Sequence, residues 1–216
     1  MLTRDHAFVL TAKPYQEGHL MLALLTERHG LIRAVARRAQ QTVSPLRSAC
    51  QPVVEADFLL RLSDNGLADV LQAEVIDAHA RVRGDLARAG FAAACTEWLM
   101  QTGGRTGLTH PHIAYPCYQT SLRALAADRE PPALVYLRFL ARTLPEAGLV
   151  FDAKEIALWS LSEGARRLLH GVVAESDSVA AAPDVIHEAL SVVGGWIFDQ
   201  TGIVLKSLKI AIQLTQ

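Results

Sequence analysis

AFVLTAKPYQEGHLMLALLTERHGLIRAVARRA, residues 7–39, is the stretch on which the fold turns. Ala7–Thr11 is rich in strand formers, and Leu20–Thr26 is an apolar run that stops at the turn signal Glu27-Arg28-His29-Gly30. Leu31–Ala36 alternates, with Leu31, Arg33 and Val35 on one face and Ile32, Ala34 and Ala36 on the other. A period of two means strands. Leu24, Leu25, Leu31, Ile32 and Val35 are the candidate core.

Downstream, the polar segment Gln40–Ser44 ends at Pro45 and reads as a loop. Val53–Leu62 alternates in part around Phe58-Leu59-Leu60, Asp64-Asn65-Gly66 signals a turn, and Val70–Ala78 is a fifth strand. Five strands with a long connection between the third and fourth suit a small Greek-key barrel, and other small barrels fit the same pattern. The character changes near Arg81. Arg81–Gln101 carries apolar residues at helical spacing, and a loop is expected from Thr102 to Leu108. A helix follows from Pro111 or Ile113 to Ala127. Further helices are expected over Ala133–Leu144, after Pro132 at a first helical position, over Glu155–Val173 and over Asp184–Thr201 with Gly202 as C-cap. Val179–Pro183 is a short Ala-rich link, and Ser207–Leu214 is a last element of open type. The fold class expected is α+β: residues 1–80 as a barrel domain, residues 81–216 as an all-α domain.

The 216 residues have a formal net charge of −1, but the charge is unevenly distributed. Between Arg28 and Val54 lie five arginines (Arg28, Arg33, Arg37, Arg38, Arg47) and no Asp or Glu. Such a stretch points weakly to an anionic partner and equally describes a solvated face. Cys50, Cys95 and Cys117 are too scattered for a disulfide framework or a four-thiolate zinc site, and fit a reduced cytoplasmic protein. The apolar run Ala7–Ala12 is too short for a signal or a membrane span. Neither a G-x-S-x-G nor a P-loop occurs, and no base is placed near Ser44, Ser48 or Ser121. No catalytic residues and no cofactor are therefore expected. His110, His112 and Cys117 lack a fourth ligand nearby and read as loop residues rather than a metal site; Asp5-His6 reads as a terminal pair with no partner. Gly194-Gly195, inside a helical pattern, is expected to permit close helix packing.

Several of these segments, taken in order, resemble the RecO family of recombination mediator proteins. Residues 7–39 look like its opening, with Lys13, Tyr15 and Glu17, Thr26-Glu27, His29-Gly30, and a strand leading into Arg37. SPLRSACQPVVEADFLL and LADVLQAEVID resemble its next segments, and LKSLKIAIQL its last. The resemblance implies an N-terminal OB fold and a helical C-terminal domain. It implies a non-enzymatic protein that binds single- and double-stranded DNA, anneals complementary strands, and works with RecR and single-stranded DNA-binding protein to load a recombinase. It also implies a cytoplasmic, nucleoid-associated protein in a bacterium. The four-cysteine zinc motif of many members is absent, so no zinc is expected, and the chain is somewhat short. After Arg37 the sequence Arg38-Ala39-Gln40-Gln41 is less basic than is usual in the family.

On that reading Arg33, Arg37, Arg38 and Arg47 are the candidate phosphate contacts, since guanidinium groups bind phosphate oxygens through charge-assisted bonds. Lys13 joins them from the expected first barrel loop, where Tyr15 packs on the barrel rim. With aromatics at 6% of the chain, backbone electrostatics rather than base stacking would dominate, with little sequence preference. Arg138 and Arg142, four apart beside an apolar stripe, are the candidate site for the acidic, hydrophobic-ended tail of single-stranded DNA-binding protein. The alternative is a protein-interaction adaptor whose barrel binds DNA weakly or not at all.

Overall fold

Leucine and alanine, not β-branched residues, dominate these strands, so alternation and pairing hold them rather than intrinsic propensity. The computed structural model describes residues 1–63, 66–106, 111–176 and 181–214. Five strands, β1 (Leu2–Tyr15), β2 (His19–Thr26), β3 (Gly30–Ala36), β4 (Glu55–Arg61) and β5 (Leu67–Asp77), close into a barrel in the order β1-β2-β3-β5-β4. All neighbours are antiparallel except β3 and β5, which are parallel. This is the OB-type barrel expected. The register explains the core: Ala12, Leu22, Ala34 and Ala68 lie opposite one another in one row, Pro14, Leu20, Ala36 and Val70 in the next. Most of these side chains join Val9, Leu24, Phe58 and Leu60 in the barrel interior.

β1 runs well beyond the expected Ala7–Thr11. Leu2–Phe8 pairs with β4 and Ala7–Tyr15 with β2, and an irregularity between Val9 and Thr11 lets one strand serve both neighbours. Thr3-Arg4-Asp5-His6 hid the first half, because no apolar alternation marks it. Lys13, Pro14 and Tyr15 accordingly belong to the strand and not to a loop. Of the Asp64-Asn65-Gly66 turn, the first two residues lie outside the described residues, and Gly66 has φ +75°, a conformation suited to glycine.

The connection from Arg37 to Val54 is no open loop. Successive backbone bonds (Gln41 N–H to Arg38 O, Ser44 N–H to Gln41 O, Arg47 N–H to Ser44 O, Cys50 N–H to Leu46 O) wind it into a string of turns. Ala39, Leu46, Ala49, Cys50 and Val54 point into the barrel core and plug one end, leaving the polar residues between them outside.

The chain divides into two units, Met1–Arg83 with Gly107–Pro116, and Gly84–Thr106 with Cys117–Gln216. The helices are α1 (Ala80–Arg83), α2 (Leu86–Thr106), α3 (Pro111–Ala127), α4 (Pro132–Thr143), α5 (Ala153–Leu158), α6 (Glu163–Val173), α7 (Pro183–Thr201) and α8 (Lys206–Gln213). In the second unit α4 is central, packed by α2, α6 and α7, and buries nearly its whole circumference. α2 also packs on α8, where a Cβ at Gly90 would come within 3.3 Å of the Ala211 backbone, so the close approach depends on glycine.

Two expected helices are broken, both at side-chain caps. Asp85 Oδ1 accepts the Arg88 N–H at 2.9 Å and restarts the chain as α2. Ser162 Oγ accepts the Ala165 N–H at 3.2 Å and starts α6, so that the expected Glu155–Val173 is two helices. α2 in turn continues through Gly103 to Thr106, where a loop was expected; residues 107–110 lie outside the described residues, as do Val179 and Ala180 of the Ala-rich link. Gly202, at φ +70°, caps α7, and the last element is helical. Neither Gly194 nor Gly195 is required by packing: a Cβ at Gly194 would meet Leu208 at an ordinary 3.6 Å, and one at Gly195 would meet nothing within 4 Å.

Candidate nucleic-acid interface

Because Ala34 and Ala36 face inward, Arg33, Val35 and Arg37 face outward. Lys13, Met21, Val35 and Asp69 form one cross-strand row, and Thr11, Ala23, Arg33 and Leu67 the next. Lys13 and Arg33 thus stand on one outer face with a single strand between them, roughly 12 Å apart by strand spacing. The intervening row positions are small or apolar, so no carboxylate separates the two cations.

Arg37 follows β3 on the same face and meets an acid. Its Nε and Nη2 donate to Asp69 Oδ1 at 3.2 and 3.0 Å. The parallel pairing Val35↔Asp69 carries that carboxylate across from β5. Its guanidinium side chain remains 66% exposed, so the pair sits in solvent and is worth little to stability. Sequence reasoning missed it, because the partner lies 32 residues away across a strand pairing that local pattern does not reveal.

Arg38 turns the chain at φ +55°, and its N–H donates to His19 Nδ1 at 3.2 Å. The Gln40 side chain donates to His19 O at 2.6 Å and its N–H to Gly18 O. These bonds tie the start of the plug to the β1–β2 turn, beside Tyr15, which pairs with His19. Arg38 therefore joins the end of the barrel where Lys13 and Arg37 emerge. Arg47 lies farther along the plug, exposed, its carbonyl accepting from Gln51 Nε2 at 3.0 Å. Among the described residues, none of Lys13, Arg33, Arg38 and Arg47 makes an ion pair. Lys13 and Arg33 are exposed on the strands, and Arg38 and Arg47 on the plug.

A polar cluster elsewhere in the first unit is buried. Asp5 is not the partnerless terminal residue expected: its Oδ2 lies 2.7 Å from His29 Nδ1 and accepts the Arg28 N–H at 3.3 Å. The neighbouring His6 is 3.8 Å from Glu27. Glu55 is buried and accepts from the Tyr115 hydroxyl at 2.9 Å, with His79 3.8 Å away. Burial, then the Glu55 charge, push the Tyr115 hydroxyl well above the usual tyrosine range. The Phe8 ring packs against both His79 and Tyr115, at 5.9 and 5.0 Å. Asp5, Glu55 and His79 are buried and hold structure together, while His6 and Glu27 are exposed.

Arg138 and Arg142 of α4 project from the side of the helix that is not buried. Both meet acids, Arg138 at 3.6 Å from Glu130 and Arg142 at 3.6 Å from Glu175. Arg142 borders a groove of about 210 Å³ lined by Leu144, Leu149, Val150, Phe151 and Val172.

Burial holds the thiols protonated. Burial pushes Cys50 up to about 12 and raises Cys95 and Cys117. Among the described residues no group of three or more His, Cys, Asp or Glu is placed to hold a metal; His110 lies outside them, and His112 is exposed. No helix among them is long and apolar enough to cross a membrane.

Residues 1–79 match the family model described as recombination protein O N terminal. The chain is 34% identical over 149 residues to DNA repair protein RecO of Frankia casuarinae, a match covering 67% of this chain and 59% of that one. It is 32% identical over 153 residues to DNA repair protein RecO of Xanthomonas euvesicatoria pv. vesicatoria, covering 70% and 61%. With DNA repair protein RecO of Bacillus pumilus it shares 30% over 137 residues, covering 63% and 52%. The chain thus spans between about half and three fifths of the length of these curated relatives. Barrel, helices and matches agree, and the chain belongs to the RecO family.

Proposed function

We propose that this protein acts in DNA repair by binding single- and double-stranded DNA on the outer face of its barrel, annealing complementary strands and assisting recombinase loading as a mediator. The observation that carries the reading is the set of exposed cations without an acid partner, Lys13, Arg33, Arg38 and Arg47, extended by Arg37 beside Asp69. Each can neutralise one phosphate and release its counterions, so affinity comes from the sugar–phosphate chain and carries little sequence preference. Tyr15 is half-buried beside them and adds at most one stacking surface.

The names of the relatives, DNA repair proteins, support the repair role. The partner reading, a RecR-like protein and single-stranded DNA-binding protein, is supported in part by the groove beside Arg142. Its apolar lining and rim guanidinium suit a peptide that is acidic and ends in a hydrophobic residue, provided the peptide displaces Glu175 from Arg142. The function is one of binding, with Arg33, Arg37, Arg38 and Arg47 as phosphate ligands rather than catalysts.

The test is strand annealing on complementary oligonucleotides coated with the cognate single-stranded DNA-binding protein. Annealing faster than the protein-free control, and sensitive to added salt, is the expected result. Annealing of bare strands with none on coated strands would remove the partner half of the proposal. No acceleration of either would leave the adaptor reading.

A further inference from the structure

β5 has one partner more at its beginning than at its end. Leu67–Val70 pairs with β3, through Arg33↔Leu67 to Ala36↔Val70, and Asp69 and Val70 pair with β4 as well, through Arg61↔Asp69 and Leu60↔Val70. Beyond Val70 the pairing with β3 stops, because the chain turns away at Arg37 into the plug. β5 continues to Asp77 against β4 alone, through Leu59↔Gln72, Phe58↔Ala73, Asp57↔Glu74 and Ala56↔Val75. The pairing with β4 is irregular about Leu71 and about Ile76; between them, from Gln72 to Val75, alternate backbone N–H and C=O groups point away from β4, and among the described residues no strand receives them. An unpaired edge of this kind is a template for another strand.

Two further features mark the edge as a surface for an occupant. Val75 and Ile76, adjacent on the edge, are 37% and 50% exposed. Beside the edge runs a groove of about 360 Å³, lined by Leu71 and Glu74 of β5, by the paired Arg4 and Asp57, and by Pro45 and Leu46 of the plug. Open backbone, apolar footholds and an adjacent groove are what a strand-adding peptide uses: main-chain bonds for affinity, alternate side chains for selectivity.

The charges choose the occupant. Glu74 and Asp77 are exposed on the edge, with Asp57 beside them bonded to Arg4 at 2.9 Å. A DNA backbone is repelled there. A second copy is disfavoured too, since pairing two such edges would bring the Glu74 and Asp77 carboxylates of both copies together, like charge near like charge. We infer that the free edge of β5 from Gln72 to Asp77 is a docking site for an extended segment of a partner protein carrying Lys or Arg at alternate positions around apolar residues. The site uses none of the cations assigned to DNA, although Arg47 follows Leu46 of the groove, and it stands whether or not those cations bind DNA.

The experiment uses the full chain and a fluorescently labelled synthetic peptide that alternates lysine and valine. Fluorescence anisotropy should show saturable binding. A peptide of alternating glutamate and valine, and a lysine–valine peptide N-methylated on alternate residues, should not bind. Amide exchange should slow at positions within Gln72–Asp77 when the peptide is added. Glu74→Lys should weaken binding by about tenfold or more while leaving the unfolding midpoint in place. Equal binding by the N-methylated peptide, slowed exchange confined to other residues, or full affinity in Glu74→Lys would overturn the inference. Slowed exchange of the same amides on raising protein concentration alone would overturn the choice of occupant in favour of a second copy.

Discussion

The arginines of the barrel and those of the helical unit are put to different use. In the helical unit Arg88 meets Asp128 at 2.7 Å, Arg138 meets Glu130, Arg142 meets Glu175, and Arg167 meets Glu163 one turn away at 3.1 Å. In the barrel Arg4 meets Asp57 at 2.9 Å and Arg37 meets Asp69, while Arg33, Arg38 and Arg47 of the basic stretch meet no carboxylate among the described residues; in the helical unit the same is true of Arg123, Arg129 and Arg166. The cause is in the sequence. No Asp or Glu occurs between Arg28 and Val54, so neither the next turn of chain nor the next residue pair supplies a partner. Pairs in solvent add little stability, yet they cancel the local field. The stretch from Arg28 to Val54 therefore keeps a local positive charge within a chain of net charge −1.

The comparison is broken most sharply by charge removal. Arg33→Ala, Arg38→Ala and Arg47→Ala together should lower oligonucleotide affinity by about a hundredfold at low salt, while Arg142→Ala with Arg167→Ala should change it less than about twofold. Equal losses in an anisotropy titration would erase the distinction between the units.

Alkaline pH separates the units in another way. Cys50 in the barrel plug and Cys95 in the helical unit both have raised folded values, caused by burial. A raised value means the thiol stays neutral in the fold. The stability this reflects is whole below roughly pH 8.5, where the unfolded thiol titrates, and is lost as pH rises above it. Urea unfolding should show a loss of about 2 kcal/mol between about pH 7 and pH 9. Cys50→Ala should remove part of that pH dependence from the barrel transition alone, and Cys95→Ala from the helical one.

A smaller effect is expected from Arg138→Ala. It should cost about 1 kcal/mol in a denaturant titration, because Glu130 loses its partner and the Arg138 stem leaves its packing. The barrel triple variant should stay within about 0.5 kcal/mol of wild type. The smallest effect sharpens the comparison from the other side: Asp69→Asn frees Arg37 and should raise oligonucleotide affinity about twofold to fivefold.

What the sequence made legible follows from the range of the interaction. The alternation in Leu31–Ala36 and the run Leu20–Thr26 are local, and both strands lie where they were expected. The basic stretch is local too, and its exposure follows from Ala34 and Ala36 facing inward. The first half of β1 was not legible: Thr3-Arg4-Asp5-His6 becomes strand only because β4 lies beside it. Asp85 and Ser162 were legible in principle, as capping residue types ahead of apolar periodicity, yet the long apolar pattern spanning each of them masks the break. The Arg37–Asp69 pair and the Tyr115–Glu55 bond join residues far apart in the chain, and no single-sequence pattern encodes either.

Oligonucleotide affinity followed against salt concentration, for the wild-type chain and for the Arg33→Ala, Arg38→Ala, Arg47→Ala variant side by side, reaches the central claim most directly. Single-stranded DNA should bind the wild type with a steep negative log–log slope, and the variant's slope should be shallower by about 2, near 0.7 for each phosphate contact removed. Two parallel lines, or a wild-type chain that does not bind even at low salt, would contradict the assignment of the barrel's outer face to DNA.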